Sequence, residues 1–516
     1  MQLAVATTNQ IAADVAGDIA DAGGNAVDAA VAASLITLIT EPGVCAPGGG
    51  GYLTVGLPGR EVLTIDANVE MPGRSADSGR FGVRDRVAHM DYGGGITTTV
   101  GHASVATPGA LAGLGLAHDR WGVLPWRSVV EPAVAVSRTG FPLSAASRLY
   151  LGYSHEVVFG WHPDSHAALH HDDGSLAEVG DIIRVAGLAD TLEAISIEGV
   201  ETMYRGEVAR AIASEFEANG GLLTLDDLEA YRPIVRPATT SEIGGYLVAT
   251  NPPPAIGGVA LLSMLQGVTP GVRLREDEVV ARQLATLRAR AAIEAGGDYG
   301  KGTLQLEAAL RAHGAAGMQS PSTVHTSAVD GDGIGCAITM SAGYGSGLIP
   351  AGTGFWMNNA LGEEELNPSG FHTLRPGTRL GSNMAPTIVE GPEMMLAVGS
   401  PGADRITSAL QQVIARVLGG AGLSEAIAAP RLHVELSSPR QAPGTDAVET
   451  VTVATEPGVD PEAVGYPVRP FPSLDMFFGG VTAAMLVGKG GRSDGEARSE
   501  VAAGADPRRT GGTIIR

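Results

Sequence analysis

Ser322-Thr323-Val324-His325-Thr326-Ser327-Ala328-Val329-Asp330 lies about three-fifths of the way along a chain of 516 residues. It opens a predicted strand with a hydroxyl residue, Thr323, and runs into the turn Gly331-Asp332-Gly333. Predicted strands over 324–330 and 335–341 flank that turn, which is a hairpin signal. A two-residue turn at Gly331-Asp332 pairs Asp330 with Gly333. Counting back in that register sets Thr323 opposite Met340, next to Ser341, so the Ser341 hydroxyl comes within reach of Thr323. A threonine hydroxyl is a poor nucleophile until a base activates it. Cutting the chain before the threonine frees its own α-amine to be that base. The segment therefore points to amide-bond chemistry that begins with self-processing.

Elsewhere the hydrophobic periodicity and punctuation predict a mixture of helices and strands. Asn9 caps a helix bearing Ile11, Val15 and Ile19 on one face, ended by Gly23-Gly24. Asn25 caps a second, with Val27, Val31, Leu35 and Leu38 on one stripe, stopping at Glu41-Pro42. Gly48 to Gly51 lead into a strand over 52–57, and Pro58-Gly59 turns into another over 62–66. The middle reads as mainly helical. Pro108-Gly109 opens one helix, and Leu124-Pro125 opens another that runs to Gly140. Thr224-Leu225-Asp226-Asp227 resembles a capping box with Asp in place of Glu. Asn251-Pro252-Pro253-Pro254 breaks the chain, and 273–318 suits a helix followed by a surface linker. A strand over 394–398, the turn Gly399-Ser400-Pro401-Gly402 and a helix over 405–418 come next. The tail, 490–516, is polar, and 492–506 reads as mobile.

Composition narrows the function classes. The net charge is −22 and the isoelectric point near 4.9, so no basic excess exists to neutralise phosphates, and nucleic-acid binding is not expected. No apolar run is long enough to span a bilayer, and Met1-Gln2-Leu3-Ala4-Val5 has no basic n-region. The expectation is a cytoplasmic protein with no membrane partner. Only Cys45 and Cys336 are present, in no metal-ligand spacing, and both read as small buried residues. The 73 glycines cluster at 48–51, 93–95 and 345–354, marking turns and close backbone approaches.

Other constellations carry competing readings. Gly399-Ser400-Pro401-Gly402-Ala403 aims backbone N–H groups at a helix N-terminus, which suits a developing oxyanion but also a plain strand-to-helix corner. Glu363-Glu364-Glu365, after Asn358-Asn359, reads as a solvated loop. His155, His162, His166, His170 and His171 gather around Trp161, yet their spacings match no standard metal pattern. Trp161 and Tyr153 read as loop packing. No metal or organic cofactor is expected.

In order along nearly its whole length, the chain resembles the γ-glutamyltransferase (γ-glutamyl transpeptidase) family of N-terminal-nucleophile hydrolases. The resemblance is carried by 23–30 (Gly-Gly-Asn-Ala-Val-Asp-Ala-Ala), Pro47 to Gly51, Pro108-Gly109-Ala110, Trp121-Gly122, Tyr204-Arg205-Gly206 and Gly220 to Thr224. Pro252 to Pro254, Asn358-Asn359, Met384 to Ile388, Gly399 to Gly402 and Asp506-Pro507-Arg508 complete it. It implies an α+β fold, a four-layer αββα sandwich, matured by autocleavage between Ser322 and Thr323. The products would be a large-subunit region, 1–322, and a small-subunit region, 323–516, that stay together as one intertwined domain.

By the same resemblance, Thr323 is the nucleophile, Ser341 the assisting hydroxyl, and the backbone of Gly402 and Ala403 the oxyanion donors. Ser382 and Asn383 fall where the family binds the substrate carboxylate. Glu363 falls where it holds the substrate amine, with Asn359 beside it. The implied partners are a small γ-glutamyl or related acyl amide, such as glutathione, and an acceptor amine or water. Some positions depart from the family. The carboxylate-clamping Arg falls at Val69, with Arg74 nearby but out of register. The Gln after Asn-Asn is Ala360, the second oxyanion Gly is Ala403, and the segment after Ser341 is short. An acylase of the same fold acting on a glutaryl-like group, an unprocessed non-catalytic binding homologue and a Cys45-dependent hydrolase are the alternatives.

Overall fold

The computed structural model describes residues 2–91, 95–294, 323–363, 366–367, 370–437, 449–488 and 499–516, with side chains in 292–294 excepted. Ser322, Gly93, Gly94, Glu364, Glu365 and 490–498, all singled out in the sequence, lie outside these residues, as does most of 273–318.

Two antiparallel sheets form the centre. The first has seven strands, ordered Gly512–Ile515, Leu3–Thr7, Thr323–Asp330, Gly335–Ser341, Gly50–Gly56, Leu63–Ala67 and Ile234–Pro237. The second has six, ordered Glu500–Gly504, Thr482–Val487, Met394–Gly399, Thr387–Gly391, Tyr246–Thr250 and Thr239–Ile243. Their facing surfaces share a buried layer including Ala4, Val329, Ala337, Ile388, Ala397 and Ala484. Short side chains let the sheets approach closely. Helices cover both outer faces. Gln10–Asp21, Ala26–Thr40 and Ala110–Trp121 pack on the seven-stranded sheet. Gly257–Leu265, Ile406–Leu418 and Leu423–Ala428 pack on the six-stranded sheet. This is the four-layer αββα sandwich.

Local chemistry explains the elements nearest the centre. Ala26–Thr40 is buried at every residue, as expected for a helix apolar all round. Its start is a capping box: Asn25 Oδ1 accepts from the Val27 and Asp28 N–H groups, and Asp28 Oδ2 accepts from Asn25 N–H. The Thr224–Asp227 box forms as the sequence indicates. Among the described residues no helix is long and apolar enough to cross a membrane.

Two expectations are corrected. Thr323 pairs with Ser341, and Val324 with Met340, one residue away from the register counted in the sequence. The turn is longer than a two-residue loop. Gly333 N–H donates to Asp330 O and Asp330 N–H to Ile334 O, while Gly333 takes a φ of +84°. That is a three-residue connection closed by a left-handed glycine, which shifts the ladder by one. The tail is not loose where it is described. Glu500–Gly504 and Gly512–Ile515 are edge strands of the two sheets. Both are short, mostly apolar segments, Glu-Val-Ala-Ala-Gly and Gly-Thr-Ile-Ile, within a tail that is polar around them.

Candidate active site

The one-residue shift places Thr323 directly across the ladder from Ser341. Facing residues of an antiparallel pair have Cα atoms about 4.5–5.5 Å apart, close enough for their side chains to interact. On its other side, Ser341 pairs with Gly50. The glycine run exists for this approach. A Cβ on Gly49 would sit 2.4 Å from Ser341 O, and one on Gly51 would sit 2.1 Å from Thr339 O. Ser341 Oγ accepts from Gly343 N–H at 3.2 Å, which orients it at the end of its strand.

Thr323 and Ser341 open into a cleft, together with Gly343, Glu363, Ser382, Asn383 and Ala403. Asn68 and Val69 form one side, and Ala360, Leu366, Met384 and Ile406 supply apolar surface. Thr323, Glu363 and Asn383 are all buried, at 3%, 1% and 6% exposure.

The Ser382–Met384 wall is held from both sheets. Ser382 O accepts from Ile256 N–H at 2.8 Å, and Asn251 Nδ2 donates to Met384 O at 2.9 Å. Thr54 and Thr250, one from each sheet, both donate to Pro386 O, at 2.9 and 3.2 Å. Ser382 Oγ accepts from Met384 N–H. Asn383 Nδ2 is buried without a hydrogen-bond partner, and Asn383 is one of the residues lining the cleft. Glu363 Oε1 and Asn359 Oδ1 both crowd Gly343, where a Cβ would lie 2.1 and 2.4 Å from them. Gly343 has a φ of +64°, so glycine is required there on two counts. Asn359 does not line the cleft. Its Nδ2 donates to Thr98 Oγ1 and Thr99 O, and it buttresses the loop behind Glu363.

The Gly399–Ala403 turn joins Met394–Gly399 to a short helical turn at Ala403–Arg405 and the helix Ile406–Leu418. Gly402 has a φ of +131° and Ala403 of +60°. Ala403 lines the cleft, and Gly402, just before it, is not among the lining residues; N–H groups at such a helix start suit a developing negative charge. Ser400 Oγ accepts from Gly480 N–H at 3.1 Å and fixes the turn.

His325, two residues after Thr323, is structural. Its Nδ1 and Nε2 lie 2.8 Å from Thr339 Oγ1 and Ser327 Oγ. Burial holds its pKa down to about 3, so it stays neutral. Its ring fills the space over Gly399, where a Cβ would meet it at 2.2 Å. Burial pushes the Cys45 thiol up to about 12, and Cys45 does not line the cleft. That removes the physical basis for a Cys45 nucleophile.

No Lys, Arg or His among the described residues lines the cleft. Arg74 pairs with Glu70 and Asp227 at 3.5 and 3.2 Å. Arg379, behind the Asn68–Val69 wall, pairs with Asp66 and Glu70 at 3.4 and 3.3 Å. It also donates to Asn68 O and lies 4.3 Å from the Tyr231 ring centroid. Both guanidiniums are committed to the fold.

The remaining histidines make local pairs. His155 Nδ1 lies 2.9 Å from His170 Nε2, and His166 stacks on His170. Among the described residues no group of three or more His, Cys, Asp or Glu side chains could hold a metal. Trp161 does pack the loop beyond Ser341, donating to Ser346 O, whereas Tyr153 is 41% exposed.

Asn68, Gly343, Leu366, Met384 and Ile406 line the cleft without having been singled out as site residues in the sequence. Met384 and Gly343 stood within quoted segments; nothing local marked Asn68, Leu366 or Ile406.

A four-layer sandwich with a threonine leading a central strand into a cleft defines an N-terminal-nucleophile hydrolase. The chain belongs to the gamma-glutamyltranspeptidase family, whose model matches residues 12–296 and 301–515. It is 30% identical over 474 residues to a glutathione hydrolase proenzyme of Escherichia coli (strain K12), covering 83% of this chain and 80% of that one. It is 29% identical over 469 residues to an acylase ACY 1 proenzyme of Pseudomonas sp. (strain V22), covering 84% and 82%. Among solved structures, the cephalosporin acylase from Bacillus halodurans shares the fold, with a TM-score of 0.77 at 24% identity over 99% of this chain and 95% of that one.

Proposed function

We propose that the chain is a self-processing threonine amidase and acyltransferase acting on γ-glutamyl-type amides, of which glutathione is one. The juxtaposition of Thr323 with Ser341 in a cleft that also holds Glu363 and the Ala403 turn carries this reading.

In maturation, Thr323 Oγ attacks the Ser322 carbonyl, and the Ser322–Thr323 amide becomes an ester. Water hydrolyses the ester, giving a Ser322 carboxyl and a free Thr323 α-amine. The regions 1–322 and 323–516 then act as two subunits of one domain. In turnover, the neutral α-amine takes the Thr323 hydroxyl proton as Oγ bonds to the amide carbonyl carbon. The Gly402 and Ala403 N–H groups stabilise the oxyanion, with Ser341 orienting the threonine. The C–N bond breaks, the proton passes to the leaving amine, and an acyl ester remains on Thr323. Water releases the acid, or an acceptor amine takes the acyl group, and either restores the hydroxyl. Glu363 holds the substrate's amine, while Ser382 and Asn383 meet the other polar group at its distal end. A glutaryl-like donor has no amine for Glu363 and is the poorer fit.

Intact mass after incubation at neutral pH tests the first step: two species, one beginning at Thr323, are expected. Thr323→Ala should leave a single uncut chain and lower turnover by at least about 10⁴-fold, as for loss of other covalent nucleophiles. A Thr323→Ala protein that is cut and active would overturn the proposal.

A further inference from the structure

The charge inventory of the cleft narrows the acyl group, an inference that rests on the function proposed above. Glu363 is the ionisable side chain among the described lining residues. Its carboxyl can hold an ammonium but cannot compensate a second carboxylate. The nearby guanidiniums of Arg379 and Arg74 are engaged by Asp66, Glu70 and Asp227, and it is Val69, bonded through its carbonyl to Leu380 N–H, that lines the cleft rather than Arg379. Processing adds an α-amine at Thr323, but that amine must be neutral to act as the base. A substrate carboxylate would therefore lose its hydration with no cation among the described lining residues to replace it.

The same wall carries a different demand. Asn383 lines the cleft, and its buried Nδ2 lacks an acceptor. An unmet buried amide donor is costly, and a neutral carbonyl meets it without the desolvation cost of an ion. Ser382, beside it, adds a hydroxyl donor. We infer that this enzyme prefers γ-linked acyl amides whose distal end carries an amine and a neutral acceptor, such as a carboxamide or ester, over donors with a free α-carboxylate. Asn383 and Val69 set this specificity.

The test measures acylation of the matured wild-type enzyme by three probes: γ-glutamyl p-nitroanilide, its α-carboxamide and glutaryl p-nitroanilide. The α-carboxamide should exceed the γ-glutamyl probe in kcat/KM by at least about tenfold, the discrimination available when a site's buried polar group is matched. The glutaryl probe should be the weakest. Val69→Arg should reverse the order of the first two, and Asn383→Ala should cut the carboxamide rate more than the γ-glutamyl rate. Equal rates for the first two probes, or a faster γ-glutamyl probe, would overturn the inference and leave the proposed function standing. No acylation of Thr323 by any probe, read by intact mass, would overturn both. The wild-type panel decides the matter even if Val69→Arg does not fold.

Discussion

Ala403 carries a backbone conformation that most residues avoid. Its φ of +60° costs an L-residue roughly 1–2 kcal/mol relative to ordinary conformations. On the proposed mechanism alanine is tolerated, because oxyanion stabilisation would use only the N–H, which is the same in alanine and glycine. Ala403 and the apolar Ile406 both line the cleft. Ala403→Gly should therefore keep kcat within about threefold and shift stability by no more than about 1 kcal/mol, since relieved strain offsets added unfolded-state entropy. Ala403→Val, β-branched in the left-handed region, should displace the N–H and lower kcat by about 10²-fold, as for loss of one oxyanion donor. Steady-state kinetics with urea denaturation of both variants checks this. Equal kcat for the valine variant would count against a backbone donor at this position. At the same scale, Thr323 and Ser341 were legible from the residues themselves, whereas Ser382 and Glu363 came only through the family resemblance; the structure gathers all four in one cleft, and Glu363 is buried rather than part of a solvated loop. Asn359 was also legible but supports the loop instead. Asn68, Leu366 and Ile406 were not legible, because they reach the cleft through tertiary packing and carry no chemistry of their own.

At the level of elements, the hairpin turn fixes what Thr323 faces. Asp330 ties it down: Oδ1 accepts from the Asp332 and Ile334 N–H groups at 3.1 and 3.0 Å, and Oδ2 from Ala26 N–H at 2.9 Å. One carboxylate thus holds the turn and the first residue of the buried helix Ala26–Thr40. Burial raises its pKa, against which the backbone donors pull it down. Asp330→Ala should cost about 2–4 kcal/mol, from three lost hydrogen bonds and orphaned N–H groups. It should also slow self-cleavage, because the register at Thr323–Ser341 depends on this turn. Urea midpoints and the half-time of processing measure the two effects; unchanged values for both would show that the register is set elsewhere. The Gly-Asp-Gly signal revealed the hairpin but not its register. A left-handed Gly333 produces a three-residue connection from letters that also fit a two-residue one. Caps were more legible, as at Asn25 and Thr224, because a capping box is contained within four residues.

Across the whole molecule, the strand order explains why cutting at Thr323 need not divide the domain. Thr323–Asp330 and Gly335–Ser341 sit between Leu3–Thr7 and Gly50–Gly56, so the region after the cut supplies the middle of a sheet whose flanks come from the region before it. Gly512–Ile515 then closes the far edge against Leu3–Thr7. In the second sheet the region before the cut supplies the two strands at one end, with Tyr246–Thr250 paired onto Thr387–Gly391. These pairings join residues hundreds of positions apart. Sequence periodicity specifies which face of a strand is buried but not its distant partner, so the strand order was not legible in the sequence, and the layers came only through the family resemblance. Separating the two pieces would break four strand ladders and expose the shared layer around Ala4, Val329 and Ile388. Apolar burial contributes about 25 cal/mol per Å², so native conditions should not part them. The cleaved pieces are expected to co-elute in size exclusion at the mass of the uncut chain and to unfold in one cooperative transition. Elution as two separate species in native buffer would mean that the ladders linking the regions do not survive the cut.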